Sequence, residues 1–199
     1  MAIGISMKRI IIGFGCAAVG GTILGIILGN VKIAEDTIGL LVLGLQTLPS
    51  ICWLPLALLW FGLNEKAIIF IVIMGSIVSV SISVRDGIKN IPSLYLRVAQ
   101  TLGAKGYTLY LKVIFPAIIP HFVTGLKLGW AFAWRSLMAG ELLYGCLGLG
   151  HVLVMGRELN DINQVVAVML IIMSIALLID QLIFIRLETA IYRRWGLRA

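Results

Sequence analysis

The sequence predicts an all-α protein, a polytopic transmembrane helical bundle of about five spans, and three observations carry that prediction. The 199 residues are 60% hydrophobic and 13% charged, with a mean hydropathy of +1.06. A water-exposed exterior would take about 25% charged residues, so the natural solvent is a bilayer. Uncharged runs of at least 18 residues recur at 10–31, 37–64, 67–84 and 162–179. At 1.5 Å per residue each is long enough to cross about 30 Å of hydrocarbon as a helix. The net charge of +7 is concentrated in two places. Segment 85–112 holds five Lys/Arg against one Asp, and segment 186–199 holds four against one Glu.

The first run follows Lys8-Arg9 and resembles a secretory leader, but it is long for one and lacks a small-residue cleavage site after it. It is read as a retained span. Gly13, Ala17, Gly21, Gly25 and Gly29 recur every four residues along it, a ridge that allows another helix to pack closely in lipid. In the second run Pro49 and Pro55 predict a bent or discontinuous helix near Trp53. The third run carries Ser76, Ser79 and Ser83 on one stripe. That stripe serves either interhelical hydrogen bonding or a solute path.

A further span at 118–144 is interrupted by Lys127, Arg135 and Glu141. Ionisable groups inside a span face protein or a wet cavity. Lys127, Trp130, Trp134 and Glu141 share one helical face, with Arg135 off it. Lys127 and Glu141 are about 21 Å apart along the axis, so each needs its own partner or water. The face either lines a path for small anions or zwitterions, or lets its two charged ends snorkel to opposite surfaces. Residues 145–163 read as a loop or short re-entrant piece, followed by the last span, where Asp180 needs a partner.

Counting Lys/Arg sets the orientation. The 32–36 turn, the 85–112 segment and the C-terminus hold ten, against four for the N-terminus, the 62–66 turn and the 145–164 loop. The first set is therefore cytoplasmic. This leaves Lys8 and Arg9 outside, which predicts a further span ahead of this sequence. The basic balance is thus a matter of membrane orientation, with no nucleic-acid partner expected. Cys16, Cys52 and Cys146 have no metal-ligand spacing and are read as packing residues. No GxxxxGK[ST], HExxH, GxSxG or CxxC pattern is present, so no catalytic, cofactor or metal residues are assigned. The whole chain reads as one membrane domain, with a polar segment at about 85–115 offered to a soluble neighbour.

Within that segment Arg97-Val98-Ala99, Gly103 and Val113-x-Phe115-Pro116 keep a known spacing. It resembles the EAA motif of permease subunits of bacterial ABC importers: Glu-Ala-Ala, three residues, Gly, nine residues, Ile, one residue, Leu-Pro. Ala99, Gly103 and Pro116 match outright. Arg97 stands in place of the motif's acid and Val98 in place of Ala, so a salt link from that acid is not carried over. The stretches LGLQTLPSICWLPLALLWFGLNEKAIIF, TLGAKGYTLYLKVIFPAIIPHFVTGLKLGWAFAW and LLIDQLIFIRLETAIYRRWG resemble the sulfonate/nitrate/taurine-type branch of that family from about Met7 onward.

The resemblance implies a type I ABC importer permease fold in a bacterial plasma membrane. Arg97, Val98, Ala99, Leu102, Gly103, Ala104 and Pro116 would form the cytoplasmic knuckle that docks on an ATPase. It implies a second permease subunit, identical or not, two ATP-binding subunits that hold ATP and Mg, and an extracytoplasmic binding protein that delivers a small solute such as a sulfonate or nitrate-like anion. The chain itself would be no enzyme. An importer of a non-anionic, pyrimidine-like solute and an ion-gradient-driven transporter are the alternatives. The latter predicts inverted repeats, of which the sequence shows none.

Overall fold

A computed structural model describes residues 2–194. Among the described residues there is no strand; the chain runs through helices α1 (Ala2–Asn30), α2 (Lys32–Thr47), α3 (Ser50–Phe61), α4 (Glu65–Lys89), α5 (Ser93–Thr101), α6 (Tyr107–Tyr144), α7 (Leu149–Glu158) and α8 (Ile162–Arg193). Helices α1, α4, α6 and α8 are long and apolar enough to cross a membrane. The α2–α3 pair, bent by 105°, makes a fifth crossing when the two are taken together as one broken span.

Close packing of α1, α4 and α6 forms the body. A Cβ on Gly13 would lie 2.7 Å from Val72 Cγ1, one on Gly21 2.8 Å from the Ile77 carbonyl, and one on Gly25 2.5 Å from the Ser81 carbonyl. The glycine ridge therefore lies against α4, with no room for side chains. Partner numbers rise together, so α1 and α4 run parallel. On the other side of α4 the numbers run oppositely: Gly125 faces Ser83 and Gly129 faces Val80. Helix α6 is antiparallel to both. This is the order expected of five crossings, with α2–α3 as the return between α1 and α4.

The ends sort as the charge count predicts. Lys89 pairs with Glu35 and the Tyr110 hydroxyl donates to Asn30 at 2.9 Å, tying the 85–112 segment to the end of α1 and the start of α2. At the opposite end Lys8 and Arg9 meet Glu65 and the loop after α6. Arg198 of the basic tail, with residues 195–199, lies outside the described residues.

Three sequence expectations are corrected. The second span breaks at Leu48–Pro49, not at Trp53: both residues are extended (ψ 123° and 135°), because a proline forces its predecessor out of the helical region. Pro55 lies in the first turn of an α-helical segment beginning at Leu54, where its missing N–H leaves no bond unmade. Second, the span expected to begin near 118 belongs to a helix already running from Tyr107. Pro116 sits inside that helix just after a π-helical turn at Tyr110–Ile114, whose wider hydrogen bonding accommodates the missing donor. Third, the first helix starts at Ala2, well before the uncharged run, and takes Ser6 and Arg9 into the interior. The 145–163 loop contains the helix α7, and Asp180, in a π-helical turn of α8, has no partner among the described residues.

Candidate functional site

The knuckle is built by local backbone chemistry. Helix α5 ends in a Schellman motif: Ala104 N–H donates to the Ala99 carbonyl at 2.9 Å and Gly103 N–H to the Gln100 carbonyl at 3.0 Å. Gly103 takes φ +84°, a conformation that costs any residue with a Cβ about 1–2 kcal/mol. A Cβ there would meet nothing within 4 Å, so the glycine answers to the turn and not to crowding. The reversal stands α5 beside the start of α6. Between them lies an open apolar groove of about 480 Å³, lined by Leu94, Tyr95, Val98, Ala99, Leu102, Ala104 and Val113. Leu102 is 82% exposed, and Leu94, Tyr95 and Val98 are also exposed. Arg97 projects on the same short helix, exposed and without a partner among the described residues. A polar segment outside the membrane that presents an apolar face in this way is shaped for a protein partner.

The charged residues of the spans are distributed differently from the expected stripe. Glu141 is fully buried and Arg9 is 3% exposed. Arg9 Nη1 donates to Glu141 Oε1 at 3.0 Å and to the Leu147 carbonyl at 2.9 Å, while Nη2 reaches Glu65 at 3.1 Å. Ser6 Oγ lies 2.7 and 2.8 Å from the two Glu141 oxygens, and Gly150 N–H donates to Oε2 at 3.0 Å. Added Cβ atoms on Gly148 and Gly150 would come within 2.5 and 2.6 Å of the Glu141 side chain. The glycines after α6 thus let the loop close over this carboxylate. The cluster latches α1, α4, α6 and α7 together. Just beyond it, in the 145–148 loop, burial pushes the Cys146 thiol up, Glu65 and Glu141 add to the shift, and Arg9 works against it.

Lys127 pairs with Glu188 of α8 at 3.3 Å. Trp130 and Trp134 stack on each other with centroids 6.3 Å apart, and Phe14 meets Trp130 edge-on at 5.3 Å. The structure therefore seats both indoles and Glu141 in the subunit's interior and not on an open face. Ser76 is buried and donates to the Val72 carbonyl at 2.6 Å. Ser83 packs against Gly125. Ser79 lines a cavity.

That cavity, about 410 Å³, opens where the second span breaks. It is walled by Gln46, Thr47 and Ser50 from the break, Ser79 from α4, and Phe132 and Arg135 from α6. Sequence reasoning set Arg135 aside because it falls off the tryptophan stripe. The missed signal was that an uncompensated charge inside a span must itself be explained.

An exposed apolar groove at one end of a helical bundle with up to five candidate crossings defines a membrane protein with a face open to a soluble neighbour. The chain belongs to the family of binding-protein-dependent transport system inner membrane components, whose model matches residues 21–195. It is 36% identical over 178 residues to a Methanocaldococcus jannaschii protein ascribed to the ABC transporter permeases, covering 89% of this chain and 67% of that one. A nitrate import permease protein of Synechocystis is 29% identical over 178 residues (89% and 65% covered). The taurine transport system permease protein of Escherichia coli is 29% identical over 175 residues (88% and 64%). The chain spans about two thirds of the length of these curated relatives.

Proposed function

We propose that the chain is the permease subunit of an ATP-driven importer in a bacterial inner membrane. It would work as a pair with a second permease subunit, above two ATPase subunits that supply ATP and Mg chemistry, and receive a small anion from an extracytoplasmic binding protein. The single observation that carries this reading is the groove beside Gly103. Apolar side chains on a cytoplasmic elbow gain nothing from water and are covered only when a partner inserts. The nitrate named in one relative's description and the sulfonate group of the taurine named in another's support a small solute bearing an oxyanionic group. Two membrane states that differ in the partner's affinity for this elbow give alternating access, because a ligand shifts an equilibrium only through differential binding.

Affinity purification of the tagged chain from detergent-solubilised membranes tests this. A nucleotide-hydrolysing subunit is expected to co-purify, and Val98→Asp, which places a charge in the groove, to release it. Purification without any such subunit, or retention by the Val98→Asp variant at wild-type stoichiometry, overturns the reading.

A further inference from the structure

The strongest unexplained feature is Arg135. It sits nine residues before Tyr144, the outer end of α6, so about 14 Å inside the span. The side chain is exposed on this chain, so at this depth it meets water, lipid or a second subunit. Its recorded interaction is with the Phe132 ring, 5.6 Å from the centroid, and it has no ion pair and no hydrogen bond among the described residues. The contrast within the same protein is sharp: Arg9, Lys127 and Glu141 each have an opposite charge within 3.3 Å. A cation at this depth is costly against hydrocarbon, so its surroundings must supply water or a counter-ion.

The cavity around it is mostly apolar, with a few polar side chains set into its wall. Arg135 shares the cavity with the side chains of Gln46, Thr47, Ser50 and Ser79. It also faces the interrupted backbone at Leu48–Pro49, and non-helical backbone at membrane depth occurs where it lines a wet space. Gly75 holds the wall open to this arrangement, since a Cβ there would strike Ser136 and come within 3.2 Å of Ser50.

We propose that Arg135 is the residue that receives the anion on its way through the membrane, in a site formed by the break of the second span. The ligand class is a small monovalent oxyanion, such as nitrate or a short organic sulfonate. The planar guanidinium fork offers paired donors to two oxygens of such a group, and the hydroxyl and amide groups around it complete the coordination. A cavity of about 410 Å³ accommodates this class with some water. The proposal rests on the permease reading for its purpose, but the site can be tested without transport.

The probe is a pair of thiol reagents of similar size and opposite charge: the sulfonate-bearing methanethiosulfonate MTSES and its trimethylammonium counterpart MTSET. Ser79→Cys is introduced into the full chain after Cys16, Cys52 and Cys146 are replaced by Ala, and labelling is followed in the purified complex. MTSES is expected to react faster than MTSET by on the order of tenfold, because a charged cleft concentrates counter-ions. The ratio is expected to fall towards one in Arg135→Gln and to persist in Arg135→Lys, which keeps the charge and controls for misfolding. Millimolar nitrate is expected to slow MTSES labelling in the Arg135 background only. A ratio unchanged by Arg135→Gln, a ratio lost equally in Arg135→Lys, or no labelling at Ser79→Cys or a second reporter, Thr47→Cys, overturns the proposal. Co-purification of the ATPase is read in the same preparation: its presence with a charge-blind cavity sinks the anion site alone, and its absence sinks the importer reading whatever the ratio.

Discussion

Replacing Arg9 by Met removes the cation that holds the outer end of the body together. Three hydrogen bonds go with it: to Glu141, to the Leu147 carbonyl and to Glu65. The Glu65 arm is discounted, since that side chain is 47% exposed and a solvated pair contributes less than about 1 kcal/mol. The Glu141 arm dominates. Its carboxylate is fully buried and would keep only Ser6 and Gly150 as donors. Removing one partner of a buried pair costs about 3–5 kcal/mol, largely from the charge left behind. If that origin is right, adding Glu141→Gln to Arg9→Met restores part of the loss, because the orphaned charge disappears while the shape is kept. The measurement is equilibrium unfolding of the detergent-solubilised protein by SDS titration, followed by far-UV circular dichroism, for wild type, both single variants and the double. A cycle coupling of at least about 1 kcal/mol is expected. Additive losses, or an Arg9→Met variant within about 0.5 kcal/mol of wild type, would refute the buried-charge argument.

Other perturbations have equally definite outcomes. Gly25→Leu forces a side chain against the Ser81 carbonyl and Val84; overpacking of about 1–3 kcal/mol or more is expected in the same titration, whereas Gly15→Leu, with nothing within 4 Å, is expected to be near neutral. Gly103→Val strains the φ +84° turn by about 1–2 kcal/mol and is expected to weaken ATPase association in pull-downs while leaving membrane insertion unchanged. The raised Cys146 thiol leaves less thiolate at a given pH, so maleimide labelling at pH 8 should lag behind a free thiol and keep rising at higher pH. Arg9→Met removes the one charge opposing that shift and should slow labelling further; faster labelling would contradict the assignment.

The sequence made the knuckle legible because everything that shapes it is local: a helix, a glycine at its end, and apolar residues on both arms within twenty positions. The glycine ridge was legible for the same reason, since a four-residue repeat on one helix announces close packing without naming the neighbour. The broken span was also foreseen, with Pro49 as one of its breakers, but the break was placed only near Trp53 when the restriction Pro49 imposes on Leu48 fixes it at Leu48–Pro49. What stayed hidden was pairing at a distance. Arg9 and Glu141 are 132 residues apart; Glu141 was visible only as a charge in need of a partner, and Arg9 only as a terminal charge left outside the membrane. Arg135 was hidden by periodicity: a stripe of tryptophans drew attention to one face of α6, whereas the cavity lies on another, defined by the bend of a different span.

Helix α6 is continuous over 38 residues from the elbow to the loop that covers Glu141, a rod of about 55 Å. If it pivots near one end by about 5°, the other end travels roughly 5 Å, since arc length follows radius. The same stalk that abuts the docking groove also carries Arg135 in its upper half. Mechanical work delivered at the inner face need not be relayed through a chain of small adjustments. With a partner docked as proposed, a tilt of this rod would reach the guanidinium as displacement.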